Sequence, residues 1–175
     1  KLDVDYQAAV ETGDEQEAGK MVRAAAKEAG YKHGPYYHGT GAKFTEFDPK
    51  RGELGMHFGS IETAKERSLD LPNWVQMPVY LKIENPFEME DLGNFANMSK
   101  LRESLLPDPT NKFLGVFTPA EFDSFKDAND VRKGLMAKGY DGIIYENEIE
   151  GGGTSYIAFK PEQVKSAEAI TRDDQ

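Results

Sequence analysis

Apolar positions follow two different rhythms along the chain. Over residues 4–30, "VDYQAAVETGDEQEAGKMVRAAAKEAG", Ala, Glu and Lys dominate, and Val22, Ala25 and Ala26 recur at helical spacing. Gly13-Asp14 predicts a break with an N-cap, hence a second helix, and Gly30 suits its C-terminal cap. From residue 31 the texture changes to short aromatic and β-branched runs bounded by turn residues. These are "PYYHGT" (35–40), "MHFGS" (56–60), "MPVYLKI" (77–83), "FLGVF" (113–117), "DGIIYEN" (141–147) and "SYIAFK" (155–160). Helical stretches are predicted between them. "SIETAKERSL" has Ser60 as N-cap and Thr63 at N3, "SKLRESLL" stops before Pro107, and "DANDVRKGLMAKGY" carries Val131, Leu135 and Met136 on one face. "ENPFEMEDLGNF" and "LLPDPTNK" read as loops. Helices first and mixed short strands afterwards predict an α+β fold, not a parallel doubly wound sheet.

At 175 residues the chain is long enough for one core of its own. Its expected organisation is an N-terminal helical segment (1–30), a main domain (31–170) and a tail (171–175). Acidic residues outnumber Lys and Arg by 31 to 21, a net charge of −10, which repels phosphate backbones and argues against broad nucleic-acid binding. There is no cysteine, so neither a disulfide framework nor a Cys-ligated zinc can form. A reducing cytoplasm fits that composition. No apolar run approaches the ~18 residues of a membrane span, and Lys at position 1 suits a piece of a longer polypeptide.

Three segments carry candidate chemistry. In "YYHGTG" strand alternation turns Tyr36, His38 and Thr40 to one side, and Gly39 and Gly41 let a ligand approach the backbone. His38 can hydrogen-bond a sugar hydroxyl through one ring nitrogen while the protein fixes the other. The plainer reading is a half-buried histidine at a hairpin. In "GMHFGS" His57 and Phe58 lie between glycines before a helix N-terminus, which suits a flat heterocycle or, equally, core filling. In "YENEIEGGGTSY" Glu146, Glu148 and Glu150 stand beside three glycines. They offer a carboxylate to a cationic or oxocarbenium-like centre, or simply a solvated acidic hairpin. There is no HExxH, no GxSxG, no GxxxxGK[ST] and no helical His pair, so no metal site is expected. His33 is expected at the surface.

In order, "YHGT", "GMHFGS…A", "PVYLKIENP" and "KGYDGIIYEN…SYIAFKPEQVKSA" resemble the ADP-ribosyltransferase fold. More narrowly, they resemble the ADP-ribosyltransferase domains of large polyvalent proteins in phages and other mobile elements. The likeness spans roughly residues 30 to 168. It implies a split β-structure of two small packed sheets with N-terminal helices and a cleft for NAD⁺, which is the substrate. The diphtheria-toxin and poly(ADP-ribose) polymerase branch uses His, Tyr and Glu on three successive strands. The resemblance therefore implies that His38 bonds a ribose and the Gly39 backbone holds the nicotinamide amide, with Tyr37 and Thr40 alongside. The family's stacking tyrosine falls on His57, which with Phe58 is expected to sandwich the nicotinamide. The family's Glu falls on Ser155, and its following Gln is kept as Gln163. Glu148 or Glu150 is then the expected catalytic acid. Transfer of ADP-ribose to a macromolecular acceptor is implied, protein rather than nucleic acid, by a monomer or a part of a larger polypeptide. A toxin or effector role in a bacterial or phage-infected cytoplasm would follow. A non-catalytic NAD- or partner-binding module and an NAD glycohydrolase are the alternatives.

Overall fold

The computed structural model describes residues 15–40, 54–63, 75–148 and 152–166. Among the described residues, seven strands form two sheets. β1 (His33–Thr40), β3 (Val75–Leu81) and β7 (Val164–Ser166) make a three-stranded sheet in the order β1-β3-β7. β2 (Met56–Phe58), β6 (Thr154–Ala158), β5 (Gly142–Glu146) and β4 (Pro86–Glu88) make a four-stranded sheet in the order β2-β6-β5-β4. All pairings are antiparallel except β4 with β5. The fold is α+β, as the element order predicts.

Strand alternation builds the layers. Met56, Phe58, Tyr156 and Ala158 meet Val79, Leu81 and Ile83 in a core between the sheets. The opposite faces of the same strands point elsewhere. Tyr145, Ile143, Ile157 and Phe159 pack beneath helices α2 (Met98–Leu105), α3 (Pro119–Asp123) and α4 (Ala128–Ala137), against Leu101, Leu105, Phe122, Val131 and Leu135. β6 is thus buried on both faces, which is why "SYIAF" is apolar almost throughout instead of alternating. Each fully buried Ile, Leu or Phe contributes about 1.5–3 kcal/mol. On the outer face of the three-stranded sheet, Tyr80 accepts a hydrogen bond from Arg23 Nε (3.1 Å) of helix α1 (Glu15–Glu28). Met21, Val22, Ala25 and Ala26 form the inward side of that helix. The expected helix before Gly13 lies outside the described residues.

Four elements differ from expectation, each for a local reason. "FLGVF" is not a strand: the Val116 and Phe117 N–H groups both donate to the Leu105 carbonyl at the end of α2 (2.8 and 3.1 Å). Phe117 fills the core while Leu114 is 85% exposed. Helix α3 was expected as nothing, yet Thr118, Pro119 and Glu121 form a complete capping box with Pro in the first turn. β4 sits inside a predicted loop. It is only three residues long and is held by Asp141, whose carboxylate accepts from Glu84 N (2.7 Å) and Asn85 N (2.8 Å). β7 likewise needs a partner strand to exist. His33 is half-buried rather than free at the surface: Nε2 lies 2.9 Å from the Ile83 carbonyl and its ring 5.2 Å from Tyr156.

Gln163 fastens both sheets. Its Oε1 accepts from Phe159 N (3.0 Å) and Lys160 N (2.8 Å), and its Nε2 donates to Lys82 O (3.1 Å) and Asp141 O (2.6 Å). One side chain thereby joins the ends of β3 and β6 to the start of β5. Gln163→Leu strips partners from four main-chain groups at about 1 kcal/mol each. Urea unfolding of this variant is expected to show a loss of roughly 2–4 kcal/mol.

Candidate functional site

Among the described residues, the two sheets are joined by one pair of main-chain bonds. Tyr37 N donates to Gly59 O (2.9 Å) and Gly59 N donates to Tyr37 O (3.1 Å), an isolated antiparallel bridge. This brings the end of β1, carrying His38-Gly39-Thr40, to the end of β2. The backbone of those three residues pairs with Met77, Gln76 and Val75, and their side chains lie outside what is described. Tyr37 is half-buried.

At Gly59 two strands pack tightly together. Continuing the β2–β6 register places it opposite Ser155. A Cβ at position 59 would lie 2.5 Å from Ser155 Oγ and 3.2 Å from Thr63 Cγ2. Only glycine leaves room for that hydroxyl. Ser60 caps the helical turn at residues 61–63: its Oγ accepts from Thr63 N (3.2 Å) and pairs with Thr63 Oγ1 (3.0 Å). Thr63 Oγ1 in turn reaches the Gly152 carbonyl (3.4 Å).

The β5–β6 hairpin closes the group. Its turn passes through Gly152 (φ 72°) and Gly153 (φ 80°), a left-handed pair that suits glycine. Asn147 leaves β5 opposite them, with its main-chain N donating to Gly153 O (2.8 Å). Its Nδ2 donates to Gly153 O (2.8 Å) and to Ser155 Oγ (2.6 Å). Ser155 is 1% and Asn147 8% exposed. Gly59, Ser60, Thr63, Asn147 and Ser155 therefore make a compact polar centre without a formal charge. The turn of the Asn147 side chain toward Ser155 depends on the hairpin geometry.

His57 lies on the same face of the sheet as Ser155. Its Nδ1 is 3.2 Å from Tyr145 Oη, and its ring is 5.3 Å from Phe95. Phe58 faces the other way, 1% exposed in the core between the sheets. Adjacent strand residues point to opposite faces, so His57 and Phe58 form no sandwich. Tyr156, beside Phe58 in that core, has its phenol pushed above the ordinary range by burial first and then by Tyr36. Gln163, expected to touch NAD⁺, has its amide spent on main-chain groups instead.

The carboxylates lie elsewhere. Glu148 is exposed and its main-chain N donates to Asp91 Oδ2 (3.0 Å), on the β4 side of the hairpin. With Glu88, Glu90, Asp91 and Glu146 it borders a cavity of about 260 Å³ over Tyr145. Ser155 is across β5 from that cavity in the strand order. Glu150 lies outside the described residues. Among the described residues no group of three His, Asp or Glu side chains could hold a metal ion, and no helix is long and apolar enough to cross a membrane.

The close approach at Gly59 yields a direct test. Gly59→Ala is expected to cost about 1–3 kcal/mol through overpacking, and at least half of that loss is expected to vanish in a Ser155→Gly background. Urea unfolding of the four proteins measures this. Equal losses in both backgrounds would show that the Ser155 hydroxyl does not fill the space.

Comparison with known proteins adds a family to this geometry. No curated protein and no solved structure matches the chain significantly. A family model described as "ADP-Ribosyltransferase in polyvalent proteins" matches residues 34–172, from the start of β1 past the end of β7. That span takes in the β1–β2 bridge, both sheets and the Asn147–Ser155 hairpin, and on it the chain belongs to the ADP-ribosyltransferase family of polyvalent proteins.

Proposed function

We propose that this domain binds NAD⁺ where the Tyr37–Gly59 bridge joins the sheets, and transfers ADP-ribose to a macromolecular acceptor with release of nicotinamide. The observation that carries this reading is the bridge itself, because it brings a His-Gly pair, a tightly packed glycine and a polar centre to one junction. Family membership supports the same reaction class.

On this reading His38 orients a ribose and the Gly39 backbone holds the nicotinamide amide. His57, its ring steadied by Phe95 and Tyr145, borders the nicotinamide from the β2 side. The C–N glycosidic bond breaks, nicotinamide takes the bonding electron pair, and the acceptor nucleophile forms the new bond to the sugar carbon. Positioning and electrostatic support of the cationic sugar supply the rate. Removing one preorganised group from such a centre costs on the order of 10²–10³ in rate. A neutral Ser155 in the family's acid position therefore makes this a slow transferase unless Glu148 or Glu150 supplies the charge. The net charge of −10 favours a protein acceptor over a nucleic acid. A cytoplasmic setting and a role as a phage or mobile-element effector fit the same picture.

The buried, neutral Ser155–Asn147 pair favours a second reading, a non-catalytic NAD-binding module. Labelled NAD⁺ incubated with the protein and a cell lysate, alongside calorimetric NAD⁺ titration, separates the two. We expect labelled macromolecule and a His38→Ala variant whose transfer falls on the order of 10–100-fold. Binding without nicotinamide release would favour the module, and release without labelled macromolecule a glycohydrolase. Absence of binding, release and transfer together would refute the proposal.

A further inference from the structure

Asn147 Oδ1 is a buried acceptor with no hydrogen-bond partner, in a residue that is 8% exposed. Leaving such an acceptor unmade costs free energy, and a native structure retains it when something outside the chain completes it. The orientation of the amide is fixed by its surroundings. Nδ2 faces the Gly153 carbonyl (2.8 Å) and the Gly152 carbonyl (3.4 Å), so a flipped amide would set oxygen against oxygen. The same Nδ2 donates to Ser155 Oγ (2.6 Å). Ser155, having accepted that bond, still carries an O–H to give. Two neighbouring groups thus have complementary unused capacity: one accepts and the other donates.

That pairing selects a ligand chemistry. A cation finds no charge here, and an anion is repelled by Oδ1. A sugar hydroxyl, which both donates and accepts, satisfies both groups. The amide also lies just beneath the surface, since Glu146, Glu148, Gly152 and Gly153 around it are all exposed.

We propose that Asn147 is a ligand-binding residue whose Oδ1 accepts a hydrogen bond from a hydroxyl of the nicotinamide-side ribose, with Ser155 held by Nδ2 to donate to the same sugar. This rests on the NAD⁺ reading above. It assigns to a neutral amide–hydroxyl pair the sugar contact that a carboxylate makes elsewhere in the family, and it makes hydroxyl recognition independent of carboxylate titration.

The test pairs deletion of a ligand hydroxyl with deletion of the residue. NAD⁺ and its nicotinamide-side 2′-deoxy and 3′-deoxy analogues are titrated calorimetrically into the wild-type protein and Asn147→Ala. The wild type is expected to bind one deoxy analogue about tenfold more weakly than NAD⁺. Asn147→Ala is expected to bind NAD⁺ about tenfold more weakly and to lose that discrimination. If Asn147→Ala does not fold, the side-chain amide signal of Asn147 in the wild type serves instead: it shifts on adding NAD⁺ and not on adding the discriminating analogue. Discrimination that persists in Asn147→Ala, a wild type that binds NAD⁺ without discriminating, or an amide signal indifferent to the hydroxyl overturns this inference alone. A wild type that binds no NAD⁺ overturns it together with the proposed function.

Discussion

The bridge between Tyr37 and Gly59 is the constraint on which the site depends. Two main-chain hydrogen bonds hold the edges of separate sheets together, and they form only because Gly59 has no side chain to push Ser155 and Thr63 away. The apolar layer behind it, with Phe58, Tyr156, Val79 and Leu81, keeps the sheets in register. Gln163 secures the opposite end through four main-chain bonds. The junction is thus braced from both ends by main-chain bonds, the arrangement that catalysis by positioning requires.

What converges there is polar but neutral. Ser155 is a neutral, buried strand residue, and Asn147 reaches it from the end of the neighbouring strand. Such a centre can recognise hydroxyls well and stabilise a cationic sugar poorly, because a neutral dipole gains far less than a charge in a water-poor site. Of the hairpin carboxylates among the described residues, Glu146 and Glu148 border a cavity with Glu88, Glu90 and Asp91, and Glu146 also accepts from Thr154 Oγ1 (2.6 Å).

Much of this was legible in the residues, and the misses have physical causes. The long apolar runs that become β3, β5 and β6 stand out because both of their faces are buried. β4 and β7, three residues each, carry no pattern of their own and exist through partners distant in sequence. Helix α3 has a readable signal in Thr118, Pro119 and Glu121, whereas Phe113–Phe117 imitates a strand, yet Val116 and Phe117 spend their N–H groups on a helix end. At the site, the sequence order of "YHGT", "GMHFGS" and "SYIAF" announced the junction. That Phe58 turns away from His57 follows from strand alternation. Asn147 carries no signal of its own among the glutamates, since only the folded hairpin brings its amide to Ser155.

A crystal structure of the protein with NAD⁺ bound tests the account most directly. The nicotinamide ribose is predicted to lie at the β1–β2 junction, with a hydroxyl within hydrogen-bond distance of Asn147 Oδ1 and the nicotinamide amide on the Gly39 backbone. NAD⁺ seated anywhere else, with Asn147 Oδ1 still unpartnered or bonded only to water, would contradict it.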